Sequence, residues 1–260
     1  MGDTAKWALI LGGSSGLGLA AVKKLAEEQF NIIVVHRDRK SDLEKINDTF
    51  REITLSEKTL YNFNIDAINP EKREGLIKEI AILIGAQKIH VLVHSIAKGN
   101  LKPMLDEEGN ALGNQDFHLT IDAMAISLYD WVKGLDEKNL FATDARVIAY
   151  TSEGSSKAWR SYAAVSAAKA VLESIVRSIA LEFAPKGIKA NCIQAGVTYT
   201  KSLQMIPNSD LLMQKSIRRN PNQRLTTPED VADATYLLTL KEAKWITGTV
   251  LKVDGGESLQ

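Results

Sequence analysis

A tyrosine and a lysine stand seven residues apart in a small-residue stretch, Tyr162-Ala163-Ala164-Val165-Ser166-Ala167-Ala168-Lys169. At about 100° per residue, seven helical steps return to within roughly 20° of the same face, so phenol and ammonium address one cleft two turns apart. A phenol can donate a hydrogen bond or a proton, and an ammonium beside it favours the ionised form, which predicts a more acidic tyrosine. The competing readings are a packing tyrosine with its hydroxyl at the surface and a solvated helix lysine. The apolar surroundings of Lys169 (Ala168, Ala170) weigh against the second. Four residues before the lysine, Val165 has no proton to give.

A second constellation lies near the N-terminus. Gly12-Gly13-Ser14-Ser15-Gly16-Leu17-Gly18 separates the apolar run Lys6–Leu11 from a helical repeat of Leu17, Ala20, Ala21 and Leu25. Such a loop lets backbone approach a pyrophosphate at a helix N-terminus, with Gly12, Ser14, Ser15, Gly16, Leu17 and Gly18 as the cradle. The bland alternative is a tight turn without a ligand. The next apolar run, Ile32–Val35, ends in His36-Arg37-Asp38-Arg39. A carboxylate there would take a ribose 2′-hydroxyl, whereas arginine accommodates a 2′-phosphate. With His36 in the carboxylate's place and Arg37 after it, the expected cofactor is NADP(H). Asp38 comes late and reads as a solvent-facing helix entry, and an ordinary surface charge is the alternative for Arg37.

Strands and helices alternate around these motifs. Strands are expected at Lys6–Leu11, Ile32–Val35, Lys58–Phe63, Ile89–Val93, Arg146–Tyr150, Ile188–Ile193 and Thr249–Val253, with continuous apolar runs as buried parallel strands require. Helices are expected at Leu17–Gln29, Pro70–Leu83, Phe117–Gly134, Ser161–Phe183 (ended by Pro185 and Gly187) and Pro228–Leu240, the last capped by Thr227. The fold class is therefore α/β: one Rossmann-type, doubly wound domain over 1–260, a seven-stranded, mainly parallel sheet with helices on both faces. The stretch 198–222, with Met205, Ile206, Leu211, Leu212 and Met213, is either a mobile substrate lid or a core-packing helix pair.

The chain has 260 residues, enough for one such domain, and its 32 basic and 32 acidic residues cancel, so nothing calls for nucleic acid. One cysteine, Cys192, excludes an intrachain disulfide framework and a cysteine zinc site, and His90, His94 and His118 lack ligand spacing, so no metal is expected. The polar start Met1–Lys6 resembles no signal peptide and no apolar run reaches membrane length, so the expected location is the cytoplasm, without membrane association.

Together the glycine loop, Arg37, the Ser152…Lys169 pair and Val253-Asp254-Gly255-Gly256 resemble the short-chain dehydrogenase/reductase family across the whole chain. In that family a Tyr usually lies four before the Lys and a Ser thirteen before the Tyr. The Tyr-x6-Lys spacing, His94-Ser95-Ile96-Ala97 after the fourth strand and Ala195-Gly196 after the sixth are instead similar to the enoyl-acyl-carrier-protein reductases, in the NADPH-using subtype with a short glycine loop. The resemblance implies Tyr162, Lys169 and Ser152 as catalytic residues, Ser152 alternatively making only local hydrogen bonds. It implies cofactor contacts from Asn64, Ile65, Ser95, Ile96, Ala97, Gly196, Val197, Thr200 and again Lys169, with Asn64 receiving the adenine amino group. It also implies an acyl thioester substrate on acyl carrier protein and a homo-oligomer, tetramer or dimer. Leu11, Asn64 and Ala97 depart from the usual Thr, Asp and Gly, and Asp122 stands where a helix Asn often joins a proton relay. The alternatives within and beside the family are a 2,4-dienoyl-CoA reductase, a carbonyl reductase, or an inactive NADP-sensing regulator.

Overall fold

The computed structural model describes residues 6–54 and 59–260. Its seven strands are β1 (Trp7–Leu11), β2 (Asn31–His36), β3 (Leu60–Asn64), β4 (Ile89–His94), β5 (Phe141–Ser152), β6 (Ile188–Ala195) and β7 (Val250–Val253). They form one sheet in the order β3-β2-β1-β4-β5-β6-β7, every neighbouring pair parallel. The expected start of the third strand at Lys58 lies outside the described residues.

The continuous apolar runs are explained by burial on both faces. In β1, Trp7, Leu9 and Leu11 point to the face covered by α3 (Pro70–Ile84), α5 (Ser127–Glu137) and α6 (Ala163–Glu182). Ala8 and Ile10 point to the other, covered by α1 (Gly16–Glu27), α2 (Leu43–Thr54) and α9 (Pro228–Leu237). Alternation along the pleat thus divides one hydrophobic word between two cores. Chain order reverses direction in the sheet between β1 and β4, and at that switch point the strand carboxyl ends open a crevice.

Several elements differ from the sequence reading. α2 was not expected: its sequence is mostly polar, and only Phe50 is buried, with Ile46 and Ile53 packed beside it on the same face. The helix expected over Phe117–Gly134 runs from Asn114 to Glu137, as α4 (Asn114–Ile121), a π turn (Asp122–Ile126) and α5. β5 begins five residues early, at Phe141. α6 begins at Ala163, because Ser161 adopts φ +57° and Tyr162, at φ −120° and ψ 2°, is the residue before the first turn. α9 is capped as expected, Thr227 Oγ1 accepting from Asp230 N at 3.2 Å while the Asp230 carboxylate accepts from Thr227 N at 2.8 Å.

Gly187, between α6 and β6, has φ +81°, and a Cβ there would lie 1.8 Å from the Thr143 carbonyl oxygen. Gly248 has φ +72° but would meet nothing closer than 3.6 Å. Gly248→Ala should therefore lose about 1 kcal/mol of stability from backbone strain alone. Gly187→Ala should lose roughly 2–5 kcal/mol from strain plus overlap. Urea midpoints of the two variants test this; equal losses would contradict it.

Candidate active site

At the carboxyl ends of the strands lies a cleft of about 810 Å³, walled by the loops after β1, β2, β3, β4, β5 and β6. The glycine loop is its floor. Gly12 adopts φ +86°, and a Cβ there would sit 2.5 Å from the Ser95 carbonyl oxygen, so only glycine lets the β1 and β4 loops close on each other. Backbone bonds hold them there, Gly12 N donating to Val35 O at 2.7 Å and Ser95 N to Leu11 O at 2.8 Å. Gly12, Ser14, Ser15, Gly16 and Leu17 line the cleft at the N-terminus of α1, whose dipole favours an anion. Gly18 does not line it. Its Cβ would meet Gly12 O at 2.1 Å, so this glycine serves to bring helix against strand.

The β2 end forms a charged corner. Arg37 Nη1 donates to Asp66 Oδ2 at 2.8 Å, Lys98 Nζ lies 3.9 Å from the same oxygen, and the buried His36 holds Asp38 Oδ2 through Nδ1 at 2.9 Å. Arg39 also lines the cleft. Asn64 is a correction: it faces the backbone of Asp38, accepting from Asp38 N at 2.9 Å and donating to Asp38 O at 3.1 Å. Its amide oxygen and nitrogen each make one bond that clamps β3 to the β2 end, and Asn64 does not line the cleft, whereas Ile65 and Asp66 do. Asp66, Lys98 and Arg39 were not foreseen, because only the crossing of the β2, β3 and β4 loops brings them together.

The opposite end gathers the chemistry. Ser152, Tyr162, Lys169 and Val165 all line the cleft, as do Ser95, Ile96, Ala97, Gly196, Val197 and Thr200. Tyr162 is buried against Trp159, ring centroids 5.1 Å apart, and packs with Met124, Val165 and Ala168. A Cβ on Gly154 would lie 2.6 Å from its ring, so that glycine leaves room for the phenol. Burial raises the phenol's pKa, and the Ser152 hydroxyl offsets part of that rise. Ser152 Oγ is itself buried without a partner of full hydrogen-bond geometry. The expected acidification by Lys169 is thus corrected: desolvation outweighs any attraction, and the phenol stays protonated at neutral pH.

Lys169 is 7% exposed and donates to the Tyr150 carbonyl oxygen at 2.6 Å. Burial brings its pKa down to about 8. His94, fully buried, is held down at about 3 by burial and by the nearby Lys169, so it is neutral. Its Nε2 lies 2.9 Å from Ser127 Oγ, which spends its own proton on Ala123 O at 2.8 Å. The π turn presents Met124 to the cleft and leaves Asp122 exposed, so this helix contributes no polar relay group.

The remaining wall comes from α7 (Lys201–Gln204) and α8 (Ser209–Arg219), which bring Leu203, Met205, Ile206 and Leu212 to the cleft. Arg219 ends α8 by bridging the buried carboxylates of Glu153 and Glu257, and Glu257 Oε2 accepts from Val197 N at 3.0 Å. The end of α8 and the C-terminal turn thus fix the loop after β6.

A doubly wound sheet, a glycine loop at its switch point and a buried lysine beside a phenol define a nicotinamide-dinucleotide oxidoreductase. The chain belongs to the short-chain dehydrogenase/reductase family: the family model described as enoyl-(acyl carrier protein) reductase matches residues 12–258. It is 30% identical over 260 residues to 1-cyclohexenylcarbonyl-CoA reductase of Streptomyces collinus, covering 99% of this chain and 88% of that one. A Bacillus subtilis protein named a probable 2,4-dienoyl-CoA reductase is 28% identical, covering 98% and 97%. The solved enoyl-acyl-carrier-protein reductase (NADH) of Aquifex aeolicus superposes with a TM-score of 0.85 at 25% identity, covering 99% and 98%. Among the described residues, no helix is long and apolar enough to cross a membrane.

The cleft fits the dinucleotide: the Gly12–Leu17 cradle suits its diphosphate, and the Lys169 ammonium at the other end suits its ribose hydroxyls. If the ammonium is the binding form, cofactor affinity should be level below pH 8 and weaken above it, as Lys169, with a pKa of about 8, loses its proton. The expected slope is about tenfold per pH unit until the bound-state pKa is reached. Fluorescence titrations between pH 7 and 10 should show this decline in the parent protein and not in Lys169→Met. The same slope in both would contradict it.

Proposed function

We propose that this protein reduces the C=C bond of trans-2-enoyl thioesters, using NADP(H). The observation that carries the reading is the pairing of Val165 with Tyr162. The position four before Lys169, where the resemblance places a ketone reducer's acid, is a buried aliphatic lining the cleft, and the available phenol is Tyr162. The match to the enoyl reductase family model and the two relatives named for enoyl-type CoA reductions support the same reaction class.

When bound, reduced nicotinamide supplies the hydride, which adds to Cβ of the enoyl group. Negative charge then develops on the thioester oxygen. Tyr162, kept protonated by burial, donates a hydrogen bond to that oxygen and stabilises the charge where it forms. Ser152 buttresses the phenol from the β5 end. Lys169, pinned by Tyr150 O, orients the nicotinamide ribose. Of the residues lining the cleft, Gly196, Val197 and Thr200 would hold the nicotinamide end of the cofactor, Ser95, Ile96 and Ala97 its middle, and Ile65 its adenine end. Water supplies the proton that completes Cα. The α7–α8 pair acts as a lid, its methionine and aliphatic side chains suited to a flexible acyl chain.

NADP(H) is preferred on this reading because the β2 corner carries Arg37, Arg39 and Lys98, while both nearby carboxylates are already engaged. The proposed carrier is acyl carrier protein, the proposed setting fatty acid biosynthesis in the cytoplasm, and the proposed assembly a homo-oligomer, tetramer or dimer. A 2,4-dienoyl-CoA reductase is the second reading, favoured by the Bacillus subtilis relative.

NADPH oxidation should be seen with crotonyl-CoA and not with acetoacetyl-CoA. Tyr162→Phe should lower kcat by roughly 10²-fold, the usual effect of removing one oxyanion donor, and leave cofactor affinity unchanged. Turnover of acetoacetyl-CoA alone would refute the assignment, and turnover of 2,4-dienoyl-CoA alone would establish the second reading.

A further inference from the structure

The charged corner at the β2 end divides its two arginines between different tasks. Resting on the NADP(H) reading, we propose that Arg39, and not Arg37, is the residue that reads the 2′-phosphate. Arg37 follows the strand directly and is the obvious candidate, but its guanidinium is paired through Nη1 with the Asp66 carboxylate at 2.8 Å. Lys98 shares that carboxylate at 3.9 Å. The remaining acid, Asp38, is taken by His36 at 2.9 Å and is only 20% exposed along its side chain. Arg39 lines the same cleft and is exposed, and its guanidinium makes no hydrogen bond or ion pair among the described residues, only its backbone carbonyl accepting from Asp42 N at 3.0 Å.

A phosphate dianion seeking two charge-assisted hydrogen bonds finds them at a free guanidinium without a competing anion. At Arg37 it would share the guanidinium with the Asp66 carboxylate, which already accepts from Nη1, offsets the cation's charge and repels the phosphate. Asp66 is therefore a specificity-determining residue in its own right. By occupying Arg37 it withholds that cation from the phosphate and leaves discrimination to the arginine two residues further on. Arg37 then acts on cofactors with and without the phosphate alike.

Direct binding of NADPH and NADH, followed by fluorescence on the purified protein, tests this without turnover. The residues are exposed or half-buried at a loop, so the variants should fold, and circular dichroism checks that they do. Arg39→Ala should reduce the NADPH-over-NADH preference by about 10- to 100-fold, the loss of a charge-assisted contact, with NADH affinity little changed. Arg37→Ala should alter that preference less than about threefold, since its charge is already offset. In the Arg39→Ala background, Asp66→Asn should restore much of the preference by freeing Arg37, which a merely structural role for Asp66 would not do. Loss of preference in Arg37→Ala with Arg39→Ala unaffected would overturn the assignment alone, as would the absence of rescue. Equal affinities in the unaltered protein would overturn the NADP(H) reading and this assignment with it.

Discussion

An ammonium buried with no carboxylate at ion-pair distance among the described residues is the constraint around which the site is organised. Lys169 sits in the wall between α6 and β5 with one neutral hydrogen bond, to Tyr150 O. Desolvation there costs enough to bring its pKa to about 8, so the fold tolerates a charge it would be more stable without. The placement is rigid: α6 is packed along β5 and β6 through Leu172, Val176 and Ile179, and the lysine lies one turn from Val165 and next to Ala168, both of which seat Tyr162. A cation in that position is useful only if polar groups of a ligand complete its coordination, and the glycine cradle at the other end of the cleft fixes where they would lie.

The same desolvation sets the state of the neighbouring groups. Tyr162 is kept protonated and His94 is kept neutral, so the cleft offers a hydrogen-bond donor beside the Lys169 ammonium at its reactive end. That combination suits stabilisation of an oxyanion better than rapid proton shuttling. The absence of a polar residue at Met124 and Val165, both facing the cleft, points the same way, since neither can pass a proton inward.

The sheet and the glycine loop were legible because burial on two faces demands uninterrupted apolar runs, and because a phosphate cradle demands glycine at fixed places. What escaped was set by contacts between distant segments. The stretch containing α2 is mostly polar, and its helix is carried by three apolar residues that become meaningful only against the β2 face. Tyr162 does point into the cleft, but from the residue before α6. The helix does not start at Ser161 because that residue is left-handed, yet the Tyr162 carbonyl closes the first turn by accepting from Ser166 N at 2.8 Å. Asn64 was assigned to adenine from its place in the chain, whereas its partner is the backbone of Asp38 across the strand ends. Gly18 belongs to the motif but serves packing, and the π turn moves Asp122 out and Met124 in.

The central claim concerns which carbon receives the hydride. It is tested most directly by turning over crotonyl thioester with NADPH carrying deuterium at the transferable position and locating the label by NMR. The account predicts one deuterium on C3 of the saturated butyryl product and a solvent-derived hydrogen on C2. An unlabelled or unreacted crotonyl group, with label appearing instead on the carbinol carbon of a product made from a 3-ketoacyl thioester, would contradict it.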